Sequence, residues 1–408
     1  MKSHIAGETV LKRSGIDENQ PVEIVSPRSR PQDEDSIARS LLCPSASTDL
    51  ASFLADKRKI LVVVNDHTRP TPTKTVLRNL DLKGLDVTTI VATGAHQPPS
   101  RLELTKLFGG AFPPYGGRLV IHDSRDYSSM THIGETIRGT ELFFNSHLFG
   151  VDGIIVIGSV EPHYFAGFTG GRKFLLPGLA GFKSIERNHS LALNETARIL
   201  SLEGNPVHED FAEALNIFDR YDDIFSIQVV LNSEHKVCFT SSGDITQSFM
   251  NAVKWAKDVY VASIEHKADV VVSIVKPPMD LDLYQAQKAI ENAKLALNDQ
   301  GILILVSSCY DGIGDRGFYE FLASRKEISK EGYRLGYQKA TRLKELQKKV
   351  SVWAVTDLPS DVLTAISIKP YRDIQKALDD TIGVKGNGSR VLTILDGTVT
   401  VPIPEQQS

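Results

Sequence analysis

Cysteine is scarce: Cys43, Cys238 and Cys309 are the only three in 408 residues, widely separated and without a C-x-x-C pair. An odd number at such spacing argues against a disulfide framework and against a thiolate zinc site. A bound metal would therefore depend on histidine. Long apolar runs are also missing. None approaches the ~20 residues that span a bilayer. Met1 to Gln20 mixes charged and polar residues and lacks the apolar stretch of a secretory signal. The expectation is a cytoplasmic protein with no membrane partner. A basic surplus is absent too, since 46 Lys and Arg stand against 50 Asp and Glu, for a formal charge of −4. Chains that neutralise a nucleic-acid backbone usually carry an excess or a stripe of cations. The densest basic stretch, Arg342 to Lys349, is interleaved with Leu343, Leu346 and Val350, as in a solvated helix face. No nucleic-acid partner is expected.

What is present is a globular balance, 41% hydrophobic and 24% charged, which excludes wholesale disorder and collagen. The chain is too long for one ordinary core, and about 150 residues per domain predicts two. The opening ~55 residues are weakly patterned and broken by Pro21, Pro27, Pro31 and Pro44. From residue 59 short β-branched runs recur: 59–64, 87–92, 118–121, 153–157, 227–231, 269–275, 301–307, 350–355 and 390–395. Such runs fit strands buried on both faces. Helical patterns fall between several of them, at 100–107, 207–214, 245–262, 283–297 and 318–324. Alternating strands and helices predict an α/β fold with mostly parallel sheets. The division expected is an N-terminal domain over 1–262 and a C-terminal domain over 263–408, with 245–262 as connector.

The unusual residues are concentrated just after strands. Val64 is followed by Asn65-Asp66-His67-Thr68-Arg69-Pro70, Ala92 by Thr93-Gly94-Ala95-His96, and Ile157 by Gly158-Ser159-Val160-Glu161-Pro162-His163. Val275 and Ser307 lead into similar turns. Open α/β sheets bind ligands outside the carboxyl ends of their strands, and three of these turns carry a histidine. Each histidine read singly also fits a turn or cap residue; three at equivalent strand ends make a shared site the better reading. The segment from His163 to Gly178 is the most distinctive. Gly167, Gly170 and Gly171 permit close backbone approach, and Arg172 and Lys173 add charge. Its spacing matches neither a phosphate-cradling G-x-x-x-x-G-K-[ST] loop nor a dinucleotide fingerprint. Lys173 suits either a phosphate or covalent attachment. Gln285 and Lys288, at i and i+3 on a predicted helix, share a face suited to a carboxylate.

Together, Asp66-His-Thr-Arg-Pro-Thr-Pro72, Ala92-Thr-Gly-Ala-His96, the block Glu161 to Lys173, Asn188-His189 and Tyr284-Gln-Ala-Gln-Lys288 resemble the lactate racemase family, over roughly residues 60–310. These are 2-hydroxyacid racemases and epimerases that depend on a nickel-pincer nucleotide, Ni(II)-pyridinium-3,5-bisthiocarboxylic acid mononucleotide. The resemblance implies inversion at C2 by proton-coupled hydride transfer to that cofactor, through a 2-keto acid, in a cleft between two domains. It implies His96 and His163 as paired acid–base residues, Lys173 as the residue that holds the cofactor, and His189 as the protein ligand to nickel. Asp66, His67, Thr68 and Arg69 are implied as cofactor contacts, with Arg69 also facing substrate. Gln285 and Lys288 are implied as substrate-carboxylate contacts. The implied partners are a small 2-hydroxy acid and proteins that make or insert the cofactor. Members acting on lactate commonly carry Arg where this chain has Gln97, so a different substrate side chain is implied. The residues by themselves leave open a mononuclear metal hydrolase built on His96, His163 and His189, or a non-catalytic ligand-binding relative.

Overall fold

A computed structural model describes residues 22–28, 30–33, 35–110, 114–232, 234–324 and 333–405. The chain divides into two compact units, one over residues 29–259 and one formed by residues up to 28 together with 260–408. The early strand therefore departs from the expected division at 262/263. Val22–Val25 pairs in parallel with Val391–Ile394, Val22 opposite Val391. Three β-branched residues in four suffice for a sheet edge, yet the stretch is too short to stand out between flanking prolines.

In the 29–259 unit a six-stranded sheet runs in the order Val237–Gly243, Ile224–Leu231, Gly153–Ser159, Lys59–Asn65, Asp86–Ala92, Arg118–Ile121. Only the first pair is antiparallel. The central strand Lys59–Asn65 buries Ile60 to Val64 completely or nearly so. Burial on both faces explains its unbroken apolar run. Ile60, Val62 and Val64 alternate toward one core, where helices Ser36–Leu42, Leu50–Leu54, Thr73–Leu77 and Arg101–Phe108 contribute Ile37, Phe53, Val76 and Phe108. Helix Arg101–Phe108 starts on a Ser100/Glu103 capping box and stops at Gly109 in the left-handed region.

The strand order reverses beside Lys59–Asn65. The chain passes from it to Asp86–Ala92 and Arg118–Ile121 on one side, then returns to Gly153–Ser159 on the other. Such a reversal is the switch point at which open α/β sheets form ligand crevices. The other unit holds a fully parallel six-stranded sheet in the order Val22–Val25, Val391–Ile394, Ala268–Ile274, Leu297–Val306, Ser351–Val355, Lys369–Tyr371. The expected connector helix ends sooner than its pattern suggests: Ile245–Tyr260 is helical, and Val261–Ile264 turns to strand against Val401–Pro404. β-branched Val261 and Ile264 favour that outcome. Among the described residues no helix is long and apolar enough to cross a membrane.

Candidate active site

Three loops of the 29–259 unit meet at the switch point. His96 follows the strand on one side of Lys59–Asn65 and His163 follows the strand on the other, while the central strand itself ends in Asp66 to Arg69. The loops are tied together. Thr71 Oγ1 accepts from Asn65 Nδ2 at 2.8 Å and lies 2.7 Å from Ser159 Oγ. Gly94 N donates to Gly178 O at 3.0 Å.

Asp66 is buried, and its Oδ1 accepts from the Thr68 backbone N (3.0 Å) and hydroxyl (2.6 Å). Its Oδ2 accepts from His96 Nδ1 at 2.7 Å. Burial works against the Asp66 charge, but the His96 charge and hydrogen bond, the Arg69 cation and the Thr68 hydroxyl together hold its pKa well below the usual carboxylate range. A carboxylate that only accepts obliges Nδ1 of His96 to carry a proton, so Nε2, across the ring, holds the lone pair of the neutral form. The dyad is an oriented base. The resemblance implied Asp66 as a cofactor contact; its pairing with a histidine thirty residues away left no mark in the sequence. His67, by contrast, turns toward Glu103, with Nε2 to Oε1 at 3.2 Å.

His163 is buried, with Nδ1 accepting from Ala166 N at 3.3 Å. Its ring packs against Tyr164 (5.1 Å between centroids) and edge-on to Phe165 (4.5 Å). Phe165 is a hub, because His189 also meets its ring at 5.1 Å and Lys173 Nζ lies 5.9 Å from its centroid. One buried aromatic ring thus gathers an acid–base candidate, a metal-ligand candidate and the lysine. Nothing in the sequence pattern marks Phe165 for this place.

The glycines before Lys173 make this packing possible. Gly167 has φ +80°, and a Cβ there would lie 2.2 Å from the Ser201 carbonyl oxygen. Gly171 has φ +53° and would meet the Phe249 ring at 2.7 Å. Lys173 is partly buried, and among the described residues no hydrogen bond or ion pair engages its ammonium. Desolvation, reinforced by Arg69, holds its pKa well below the ordinary lysine value, with Glu161 pulling the other way. Glu161 is itself buried; Thr169 bonds Oε2, and Oε1 has no hydrogen-bond partner. The Arg69 guanidinium likewise makes no hydrogen bond or ion pair with the described residues. Two cations not engaged in hydrogen bonds or ion pairs with the described residues, beside an acceptor without a donor, suit a polar ligand that carries both anionic groups and a donor.

No sequence motif singles out His208. It lies 8% exposed, with Nε2 3.0 Å from Arg172 Nη1 and its ring stacked on Phe249. Its spacing to Phe211, Leu215 and Phe218 marks the buried face of helix Pro206–Phe218, a helical period that was there to be read. Burial, then Arg172 and Lys173, push its pKa down to about 4. The folded state favours the neutral ring, so its contribution is complete above the unfolded pKa of about 6.5 and is lost as pH falls toward 4, by on the order of 3 kcal/mol. Urea unfolding of the wild type and His208→Gln at both ends of that window should show a smaller acid loss in the variant. Equal losses would mean that His208 is not the titrating group.

In the other unit, helix Leu283–Ala293 begins with Asp282 capping Gln285 N at 2.6 Å. Lys288 Nζ donates to Gln285 Oε1 at 2.8 Å and lies 3.6 Å from Met279 Sδ. The i, i+3 expectation holds, and both side chains are buried. With its carbonyl oxygen bonded to the ammonium, Gln285 is left to offer its NH2, so the pair presents donors only.

Comparison with known proteins follows this geometry. A model of the lactate racemase N-terminal domain matches residues 9–200, and one of the lactate racemase C-terminal domain matches 263–402. The lactate racemase of Thermoanaerobacterium thermosaccharolyticum is 28% identical over 388 residues, covering 90% of each chain. That of Lactiplantibacillus plantarum is 29% identical over 411 residues, covering 93% of this chain and 94% of the relative. The apoprotein structure of the former superposes with a TM-score of 0.84 at 27% identity, over 93% of this chain and 94% of that one. A crystal structure of a Thermotoga maritima protein, 17% identical, shares the fold with a TM-score of 0.73, over 93% of this chain and all of that one. With both domain models matched in order along a chain aligned almost end to end, this protein belongs to the lactate racemase family.

Proposed function

We propose that this protein is a racemase or epimerase of a 2-hydroxy acid that works with a nickel-pincer nucleotide. The observation that carries the reading is the straddling of the central strand by His96 and His163, one held by a buried carboxylate and the other sharing the Phe165 ring with Lys173. The residues suit that cofactor. Arg69 and Lys173 offer charge to anionic groups, burial moves the Lys173 amine below its ordinary pKa, the direction that favours a nucleophilic amine, and His189 offers one imidazole. Among the described residues no three His, Cys, Asp or Glu side chains converge on a metal position. His96, His163 and His189 therefore do not form the three-ligand cage the hydrolase reading needs, whereas a group that brings its own donors asks for one imidazole only.

When bound, the cofactor supplies the reversible two-electron acceptor that no side chain provides. The protein's part is proton handling and orientation. His96, with Nδ1–H on Asp66, takes the substrate hydroxyl proton at Nε2, and the carboxylate stabilises the imidazolium that results. His163 does the same for the opposite enantiomer, and each histidine returns the proton the other direction requires. Arg69 offers a cation to the substrate carboxylate, and the Gln285–Lys288 pair of the other unit has the donor chemistry that suits one. Gln97 stands where lactate-acting members commonly carry Arg, so the reading extends beyond lactate to other 2-hydroxy acids.

The test is a panel of enantiopure 2-hydroxy acids incubated in deuterium oxide with protein purified from cells that make the cofactor. Inversion that retains protium at C2, without added nicotinamide, is expected. Solvent deuterium at C2 would replace this chemistry with deprotonation. No inversion of any member by nickel-loaded protein would favour a non-catalytic binder.

A further inference from the structure

The nearest surroundings of His189 lead to a residue that neither the motif set nor the family match singles out. Asp210, on helix Pro206–Phe218, is completely buried, and no cation pairs with it among the described residues. Neutral donors surround it instead. Thr136 Oγ1 donates to Oδ1 at 2.6 Å, and Thr140 Oγ1 and Asn188 Nδ2 each donate to Oδ2 at 2.8 Å. Both threonines belong to the turn between strands Met130–Glu135 and Glu141–Asn145, where Thr136 N also donates to Thr140 O at 3.0 Å. Asn188, equally buried, lies in helix Phe182–Ser190 immediately before His189.

An ionised carboxylate only accepts, so Asn188 must face it with the NH2 group. The same NH2 lies 3.4 Å from the Val207 carbonyl, a second acceptor with the same demand. Both acceptors ask for the same amide orientation, the carboxylate at 2.8 Å far more strongly than the distant carbonyl, and Oδ1 must point the other way. There it meets His189 Nδ1 at 3.2 Å. An amide oxygen has no proton to give, so Nδ1 carries one, and Nε2 of the neutral ring keeps its lone pair.

We propose that Asp210, acting through Asn188, is a positioning residue that sets the tautomer of His189 and so presents Nε2 as a metal donor. The metal half rests on the reading of His189 as the nickel ligand; the tautomer half stands on the hydrogen bonds alone. Partners of this kind commonly change metal affinity by about 10–100-fold when removed. Asp210→Asn is the informative change. A second amide can turn its own NH2 toward Asn188, release the amide of Asn188 to rotate, and allow the proton of His189 to move to Nε2.

The experiment uses the full chain labelled with 15N-histidine, near pH 8, above the ordinary histidine pKa of about 6.5. The His189 ring signal is identified by its loss in His189→Gln. Wild-type His189 should show protonated Nδ1 and bare Nε2. Asp210→Asn should shift the ring toward the other tautomer and lower the nickel retained per chain after gel filtration, by about 10-fold or more. Thr136→Val removes a donor to Asp210 but not the acceptor that orients Asn188, so tautomer and nickel retention should stay. A wild-type ring protonated at Nε2 overturns the proposal even if Asp210→Asn fails to fold, and so does an Asp210→Asn ring unchanged from wild type. If the ring behaves as expected and the wild type retains no nickel, the ligand role of His189 and the metal half fail while the relay stands.

Discussion

Alanine at His96 or at His163 lowers racemisation by about 10²–10⁴-fold in both directions, the range lost with a general acid or base. Both directions suffer because each inversion needs one imidazole to take a proton and another to give one. The expected signature is therefore a matched loss in forward and reverse rates with nickel content unchanged. Asp66→Asn separates orientation from ring chemistry. It preserves shape but can place an NH2 against His96 Nδ1, where the carboxylate now accepts at 2.7 Å. The bare nitrogen is then drawn to the wrong side of the ring, and a loss of about 10²-fold or more is expected. Full activity of Asp66→Asn at wild-type nickel content would show that Asp66 does not orient the base. Wild-type inversion by either His96→Ala or His163→Ala would rule out the two-base scheme.

Lys173→Met should remove cofactor retention and at the same time make the protein without cofactor more stable. The ammonium lies desolvated near Arg69, without an ion pair or hydrogen bond to the described residues, and its folded-state pKa lies well below the ordinary value. For a lysine, a depressed folded pKa is a cost of folding that is present in full below the unfolded pKa of about 10.4 only once pH is also below the folded value. It shrinks as pH rises between the two and vanishes above 10.4. An isosteric methionine removes it. The expected gain is about 1–2 kcal/mol near neutral pH, read as a shifted urea midpoint at unchanged slope. The gain should be absent at the alkaline end. Nickel and visible absorption should be missing from the purified variant. Wild-type nickel retention by Lys173→Met would remove the lysine from any holding role. A destabilised variant would mean that the ammonium has a compensating partner after all.

The paired effects explain why this site was partly readable beforehand. Strand ends rich in His, Gly and Arg break local rules that the rest of the chain obeys, and such breaks cluster where function is built. The β-branched runs around Lys59–Asn65, Asp86–Ala92 and Gly153–Ser159 show their burial locally, because strands covered on both faces admit little else. His96 and His163 could be placed on a shared edge from that topology. Gln285 and Lys288 could be paired from helical spacing alone. Other partners are separated too widely for any period to connect them: Asp66 with His96, Phe165 with His189 and Lys173, and Asp210 with Asn188. His208 differs from these, since its helical period with Phe211, Leu215 and Phe218 is local and only its polar neighbours in sequence obscure it.

The sequence alone determined the alternation of strands and helices, the mostly parallel sheets and the strand-end loops rich in His, Gly and Arg, because hydrophobic period and turn composition are local properties of the chain. Tertiary structure decided which side of the central strand each histidine follows, which carboxylate holds the His96 ring, and that Val22–Val25 joins the sheet of the distant C-terminal unit. Those outcomes depend on hydrogen bonds and packing between segments far apart in the chain, where the valence of a buried donor or acceptor is met by whatever the fold brings within 3 Å.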